Sequence, residues 1–183
     1  AEGESLIITK FFAENTWNDF VSLMETDSQC SECWCLNHRE PAGCATGKAA
    51  QEKMKILTEN KKVHGLLAYK DQECIGWIAV DPMSELKGHD CQNSGKENEW
   101  SIHCLFIKEG FRGIGISKQL IQDATQYAKE NGANIISAFP IPEKNRNNFP
   151  VNEAEFSGRL STYIKLGFQP VGEPSEFYQR VEL

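Results

Sequence analysis

Between Phe106 and Leu120 the chain reads FIKEGFRGIGISKQL, which sets Gly110, Gly113, Gly115 and Arg112 between an apolar run and a helical pattern. Glycines let backbone N–H groups approach an anion, and a helix N-terminus adds partial positive charge, so the stretch is a candidate phosphate turn. The P-loop template G-x-x-x-x-G-K-[ST] takes Gly110, Gly115 and Ser117 but meets Ile116 where a lysine must reach the transferring phosphate. The dinucleotide template G-x-G-x-x-G takes Gly113 and Gly115 but meets Lys118, and it comes after residue 100 rather than opening a domain. A third pattern, R-x-x-G-x-G/A, fits Arg112 to Ser117 with serine in the last place. In that pattern the arginine caps the anion, and the Ser117 hydroxyl is small enough to donate to a phosphate oxygen.

A second group of reactive side chains lies in CSECWCLNHREPAGC, which holds Cys30, Cys33, Cys35, His38 and Cys44 within fifteen residues. Cys30 and Cys33 have a zinc-ligand spacing. The C-x-C that follows, and the lack of a second C-x-x-C pair, leave the zinc-finger pattern incomplete, so no metal is expected. The other reading makes Trp34 and its neighbours one wall of an acceptor site.

These groups must be positioned by regular elements. Trp17, Phe20, Val21 and Met24 recur at helical spacing, and Thr16 with Asp19 can form a capping box for that helix. A second helix follows in GKAAQEKMKILTENKK. GLLAYK and CIGWIAV, on either side of DQE, read as a β-hairpin. Asp81 to Asn98 is polar and carries Pro82, Gly88 and Gly95, and so reads as a loop. WSIHCLFI is an apolar strand suited to a central position. After the glycine turn, Ile116, Leu120, Ile121, Ala124, Tyr127 and Ala128 mark a long helix, with Asn131 and Gly132 as its C-terminal stop. NIISAF is a further strand. The polar connection from Pro140 to Glu155, with three prolines, is long enough to be a lid or substrate loop. Phe156, Leu160, Tyr163 and Ile164 suggest a short helix ended by Gly167, and FQPV and FYQRVEL read as closing strands.

The 183 residues are most simply one domain, 1–183. A net charge of −7 argues against a nucleic-acid surface, which needs clustered Lys and Arg, and suits a cationic or amine substrate better. Seven cysteines form no even framework, no signal pattern is visible, and the apolar runs are far short of a membrane span. A cytoplasmic protein with reduced thiols and no membrane partner is expected.

The strand, the turn with Arg112, Gly113 and Gly115, the long helix and the later YIKLGF run resemble the GNAT superfamily of N-acetyltransferases in this chain order. The resemblance implies an α/β, GNAT-like fold with a mixed central sheet of about six or seven strands flanked by helices. It also implies transfer of an acetyl group from acetyl-CoA to a primary amine of a small molecule or peptide, by direct attack in a ternary complex. Residues Arg112, Gly113, Ile114, Gly115, Ile116, Ser117 and Lys118 would hold the pyrophosphate. Backbone groups of Leu105, Phe106 and Ile107 would meet the acetyl carbonyl and the pantetheine arm. Tyr163, in the family's Y-x-x-x-G-F run with Gly167 and Phe168, would protonate the departing thiolate. His103, at a strand position where some members place a histidine, would be the general base; strand alternation sets it on the face of Leu105 and Ile107. Glu99 and Glu155 are weaker candidates for the base, and Cys104 keeps a covalent route open. A homodimer would be in keeping with the superfamily. A different class of reading, a non-catalytic CoA-binding or zinc-linked interaction module with the same fold, is motivated by Ser117 and by the missing carboxylate near the strand.

Overall fold

The computed structural model describes residues 6–40, 45–87, 94–149 and 156–183. Seven strands form one mixed sheet: β1 (Ile8–Phe11), β2 (Gly65–Lys70), β3 (Glu73–Pro82), β4 (Glu99–Ile107), β5 (Ile135–Ala138), β6 (Gln169–Pro170) and β7 (Val181–Glu182). Their order is β1-β2-β3-β4-β5-β7-β6, and only β4 and β5 run parallel. That parallel pair needs a crossover, which α4 (Ile116–Glu130) supplies. Among the described residues the remaining α-helices are α1 (Trp17–Met24), α2 (Cys30–Cys33), α3 (Gly47–Glu59) and α5 (Leu160–Lys165).

Strand alternation divides the core into two layers. Leu66, Ala68, Ile78 and Val80 face α4, where Leu120, Ile121, Ala124 and Ala128 lie on one helical stripe. Leu67, Tyr69, Trp77, Ala79 and Phe106 face the other way, against Phe20, Leu23 and Met24 of α1, Met54 of α3, and Trp34 and Leu36 beyond α2. The β2–β3 turn places Asp71 and Gln72 at φ 50° and 69°, the twist that suits a two-residue hairpin. Helix α4 stops as the sequence implies: Gly132, at φ 93°, donates to Lys129 O while Ala133 donates to Ala128 O.

Three expectations need correction. Thr16 and Asp19 form no capping box on α1. The Thr16 hydroxyl instead accepts from Ala13 N–H and donates to Ala13 O, and the Asp19 carboxylate accepts from Tyr69 Oη at 2.7 Å. The stretch read as a loop from Asp81 begins inside β3, and Met83–Glu85 is a 3₁₀ turn. Strand alternation also fails at His103. Ala79 pairs with Cys104 and Val80 with Ile102, which leaves His103 as the extra residue of a bulge. Ile102, Leu105 and Ile107 accordingly pack beneath α4, whereas His103 turns to the opposite layer.

Candidate active site

The bulge gives the site its geometry. Asp81 alternates with Val80 and so points away from α4, into the layer where His103 has been turned. The two side chains meet there, with His103 Nε2 2.7 Å from Asp81 Oδ2. From the segment after α2, Arg39 Nη1 reaches Asp81 Oδ1 at 2.8 Å, and His38 Nδ1 lies 3.1 Å from His103 Nδ1. Asp81 Oδ1 also accepts from the backbone N–H of His64 at 3.0 Å. Burial alone would raise the Asp81 carboxyl, but the guanidinium and the His103 ring outweigh it and hold it well below the usual carboxylate range. Asp81 is therefore an anion, and an anion only accepts. His103 therefore donates from Nε2; with that ring neutral, its Nδ1 accepts and His38 donates from Nδ1. Nε2 is then the basic nitrogen of His38, a tautomer assigned from the hydrogen-bond network.

His38 and His103 line a cavity of about 540 Å³. Cys30, Cys33, Cys35 and Cys104 also face it, with Phe139, Phe156, Phe177 and Tyr178 as aromatic walls and Glu32 among the polar groups. Trp34 is not part of the lining; it sits in the core beside Phe20, where the expectation had made it a wall. Cys44 and Glu155 lie outside the described residues. Among the described residues the cysteines make no group of three at ligand distance. The one such group is His64, Asp81 and Glu85. Within it, the Asp81 oxygens are taken by Arg39, His103 and the His64 backbone, and His64 Nδ1 is 2.9 Å from Tyr127 Oη. Glu99 is buried elsewhere, bonded to Arg180 at 2.7 Å and to Ser137 at 3.0 Å, and does not line the cavity.

On the other side of β4 the sheet opens. Pairing of β4 with β5 ends at Ile102 and Ala138. Lys108 N–H bonds back to Ile75 O on β3, so antiparallel alternation gives the backbone of Phe106 to β3 and turns that of Leu105 and Ile107 toward the gap. The Leu105 N–H donates there to Phe156 O at 2.8 Å, and the Ile107 carbonyl accepts from Arg112 Nε at 3.1 Å. The turn beyond places Gly110, Gly113 and Gly115 at φ 94°, 80° and 90°, with open space where each side chain would stand. Gly115 is the N-cap of α4 and offers no side-chain cap, so the first-turn N–H groups face outward unblocked by side chains. Gly113, Ile114, Gly115 and Lys118 are exposed and Ser117 half-buried; Ile116 sinks into the core, so it offers the turn its backbone alone. The arrangement fits a pyrophosphate. Tyr163 is fully buried on α5 against Phe168, and its Oη donates to Ser157 O at 3.3 Å. Burial, with Cys104 nearby, pushes its pKa up, which keeps the phenol protonated at neutral pH.

The sequence model described as the acetyltransferase (GNAT) family matches residues 10–151, from the end of β1 through the turn, α4 and β5. The chain belongs to the GNAT acetyltransferase family. As a GNAT enzyme it is an N-acetyltransferase that uses acetyl-CoA. Solved structures agree at the level of fold. The chain is 15% identical to the PaiA N-acetyltransferase of Thermoplasma acidophilum in complex with coenzyme A, covering 97% of this chain and 98% of that one at TM-score 0.52. It is similar also to the aminoglycoside N-acetyltransferase AAC(6')-Iy in complex with CoA (15% identity, 96% and 95% covered, TM-score 0.62). A GNAT acetyltransferase from Streptococcus pneumoniae gives 13% identity, 97% and 99% covered and TM-score 0.60. A sequence search of curated proteins finds no match. No helix among the described residues is long and apolar enough to cross a membrane.

Three groups at this candidate site were not foreseen from sequence: Asp81, Arg39 and the pairing of His38 with His103. Asp81 looked like the start of a polar loop, and Arg39 and His38 looked like parts of a cysteine cluster. The one available signal was the spacing of Asp81 from Ile78 and Val80, which continues the strand by one alternation.

Proposed function

We propose that this GNAT enzyme acetylates a primary amine of a small molecule or peptide by direct attack in a ternary complex, with His38 and His103 carrying the amine proton toward Asp81. The observation that supports this most is the unbroken chain from the cavity through His38, His103 and Asp81 to Arg39, with links of 3.1, 2.7 and 2.8 Å. An amine arrives protonated and must lose a proton to attack. His38 Nε2 takes that proton, the Nδ1 proton of His38 passes to His103 Nδ1, and the imidazolium formed is held by the Asp81 carboxylate. Bound acetyl-CoA supplies the thioester. Arg112 and the backbone of residues 113–118 hold its pyrophosphate, and the Leu105 N–H polarises the acetyl carbonyl once Phe156 O has been displaced. Tyr163 Oη keeps the proton that the departing thiolate needs. The aromatic walls and Glu32 suit an acceptor with an apolar flank and a cationic head.

Thiol release from acetyl-CoA across a panel of primary amines tests the reading. Turnover with at least one amine is expected, and His38→Gln should lower kcat by about 10²-fold or more with the KM for acetyl-CoA unchanged. Full turnover in His38→Gln would remove the relay. Clear CoA binding with no thiol release for any amine would favour the non-catalytic module.

A further inference from the structure

The relay leaves one part of the cavity floor unused. Arg39 spends only Nη1 on Asp81; its Nε and Nη2, and the indole Nε1 of Trp77, are buried N–H groups with no hydrogen-bond partner among the described residues. Buried donors of this kind need an acceptor, and the cost of lacking one is largest for a charged donor. Both side chains lie against a single atom, the sulfur of Cys35, which also shares a hydrogen bond with the Cys104 thiol across the floor. A neutral thiol offers the guanidinium and the indole N–H little, whereas a thiolate draws both and takes the Cys104 S–H as well. The bulge at His103 is what brings this about, because it turns Cys104 to the same side as His103. Small solutes reach the pair through the cavity that both cysteines line.

We propose that Cys35 is a stabilised thiolate that hydroperoxides oxidise, with Cys104 as its resolving partner. The Cys35 sulfur attacks the terminal peroxide oxygen, the O–O bond breaks, and Cys35 becomes a sulfenic acid while the other oxygen leaves, after protonation, as water from hydrogen peroxide or as an alcohol from an alkyl hydroperoxide. Cys104 then attacks the Cys35 sulfur, the S–O bond breaks, and the hydroxyl leaves as water with the Cys104 proton. Two thiols are oxidised to one disulfide and one hydroperoxide is reduced. The supporting electrostatics agree in direction. The hydrogen bond from Cys104, opposed by burial and aided by His103 and Arg39, lowers Cys35 to about 6, and the same contact raises Cys104. The bond formed ties the segment after α2 to β4 at the residue next to His103. It stands independently of which amine the enzyme acetylates.

The test treats the reduced full chain with hydrogen peroxide, blocks remaining thiols by alkylation and maps the peptides by mass spectrometry. A Cys35–Cys104 cross-link is expected, formed at least about 10-fold faster than Cys74 is oxidised. In Cys104→Ser a 1,3-dione probe should capture a sulfenic acid at Cys35, and Trp77→Phe, which keeps an aromatic ring but removes one donor, should slow Cys35 oxidation several-fold. Oxidation of Cys35 no faster than Cys74 in the unaltered chain would overturn the thiolate. Bridging of Cys35 to Cys30 or Cys33 in place of Cys104 would overturn the assignment of the partner.

Discussion

Asp81 has three partners and no exposure, so what it contributes depends on its charge. Its carboxyl titrates lower in the fold than in the unfolded chain, because Arg39 and His103 outweigh burial. The resulting stabilisation is complete above the ordinary aspartate value of about 3.9 and is lost as pH falls through the folded value. Asp81→Asn takes the carboxylate from the buried Arg39 guanidinium and leaves it only the Cys35 sulfur, and a denaturant melt at neutral pH should show a loss of up to about 3–5 kcal/mol. The same variant should lose the part of the acid-induced destabilisation that Asp81 carries. Tyr163 makes a separable case. Tyr163→Phe keeps the ring that packs on Phe168 at 5.1 Å and removes only the hydroxyl. Its kcat should fall by about 10²-fold with the dissociation constant for CoA unchanged, and unaltered turnover would take the acid role away from Tyr163.

At the scale of elements, β4 serves two purposes on two sides. Its bulge hands His103 and Cys104 to the cavity, and its parting from β5 turns the backbone of Leu105 and Ile107 toward a gap. The gap is partly filled by the chain itself, because Phe156 O occupies the Leu105 N–H and the Phe156 ring packs on Phe106 with centroids 6.1 Å apart. A donor arm using that N–H competes with Phe156. Removing the ring contact, which is worth about 0.5–1.5 kcal/mol for such pairs, should ease the exchange. Phe156→Ala is therefore expected to bind CoA about 2- to 10-fold more tightly by titration calorimetry. Weaker binding would mean that Phe156 supports the arm instead of competing with it.

For the whole molecule, donor binding and stability are linked, since a ligand that binds only the folded chain stabilises it. CoA at about 100 times its dissociation constant adds about 2.7 kcal/mol, which for a chain of this size is a rise in Tm of roughly 5–11 °C. Arg112→Ala combined with Gly115→Glu should abolish that rise, because it removes the capping cation and sets a carboxylate where the anion binds. Glu at φ 90° is strained and lowers the starting Tm, although both positions are exposed or half-buried and no neighbour fills the space beside Gly115, so the measure is the rise on adding CoA and not the Tm itself. How much of this was legible in the chain follows from the range of each interaction. The glycine turn, α4 with its Gly132 stop, the hairpin and the Tyr163 run are set by contacts between near neighbours, and such contacts appear in spacing and residue type. Even the family could be named from them. The chain of contacts at Asp81 could not, because His38, Arg39, Asp81 and His103 come from separate segments and meet only when a single extra residue in β4 reverses one side chain. A bulge is a matter of register between two strands, and register is decided by how whole layers pack. The sequence by itself therefore determined the glycine turn that we propose holds the acetyl donor, and only the tertiary structure brought together the side chains that we propose meet the amine, because they come from separate segments.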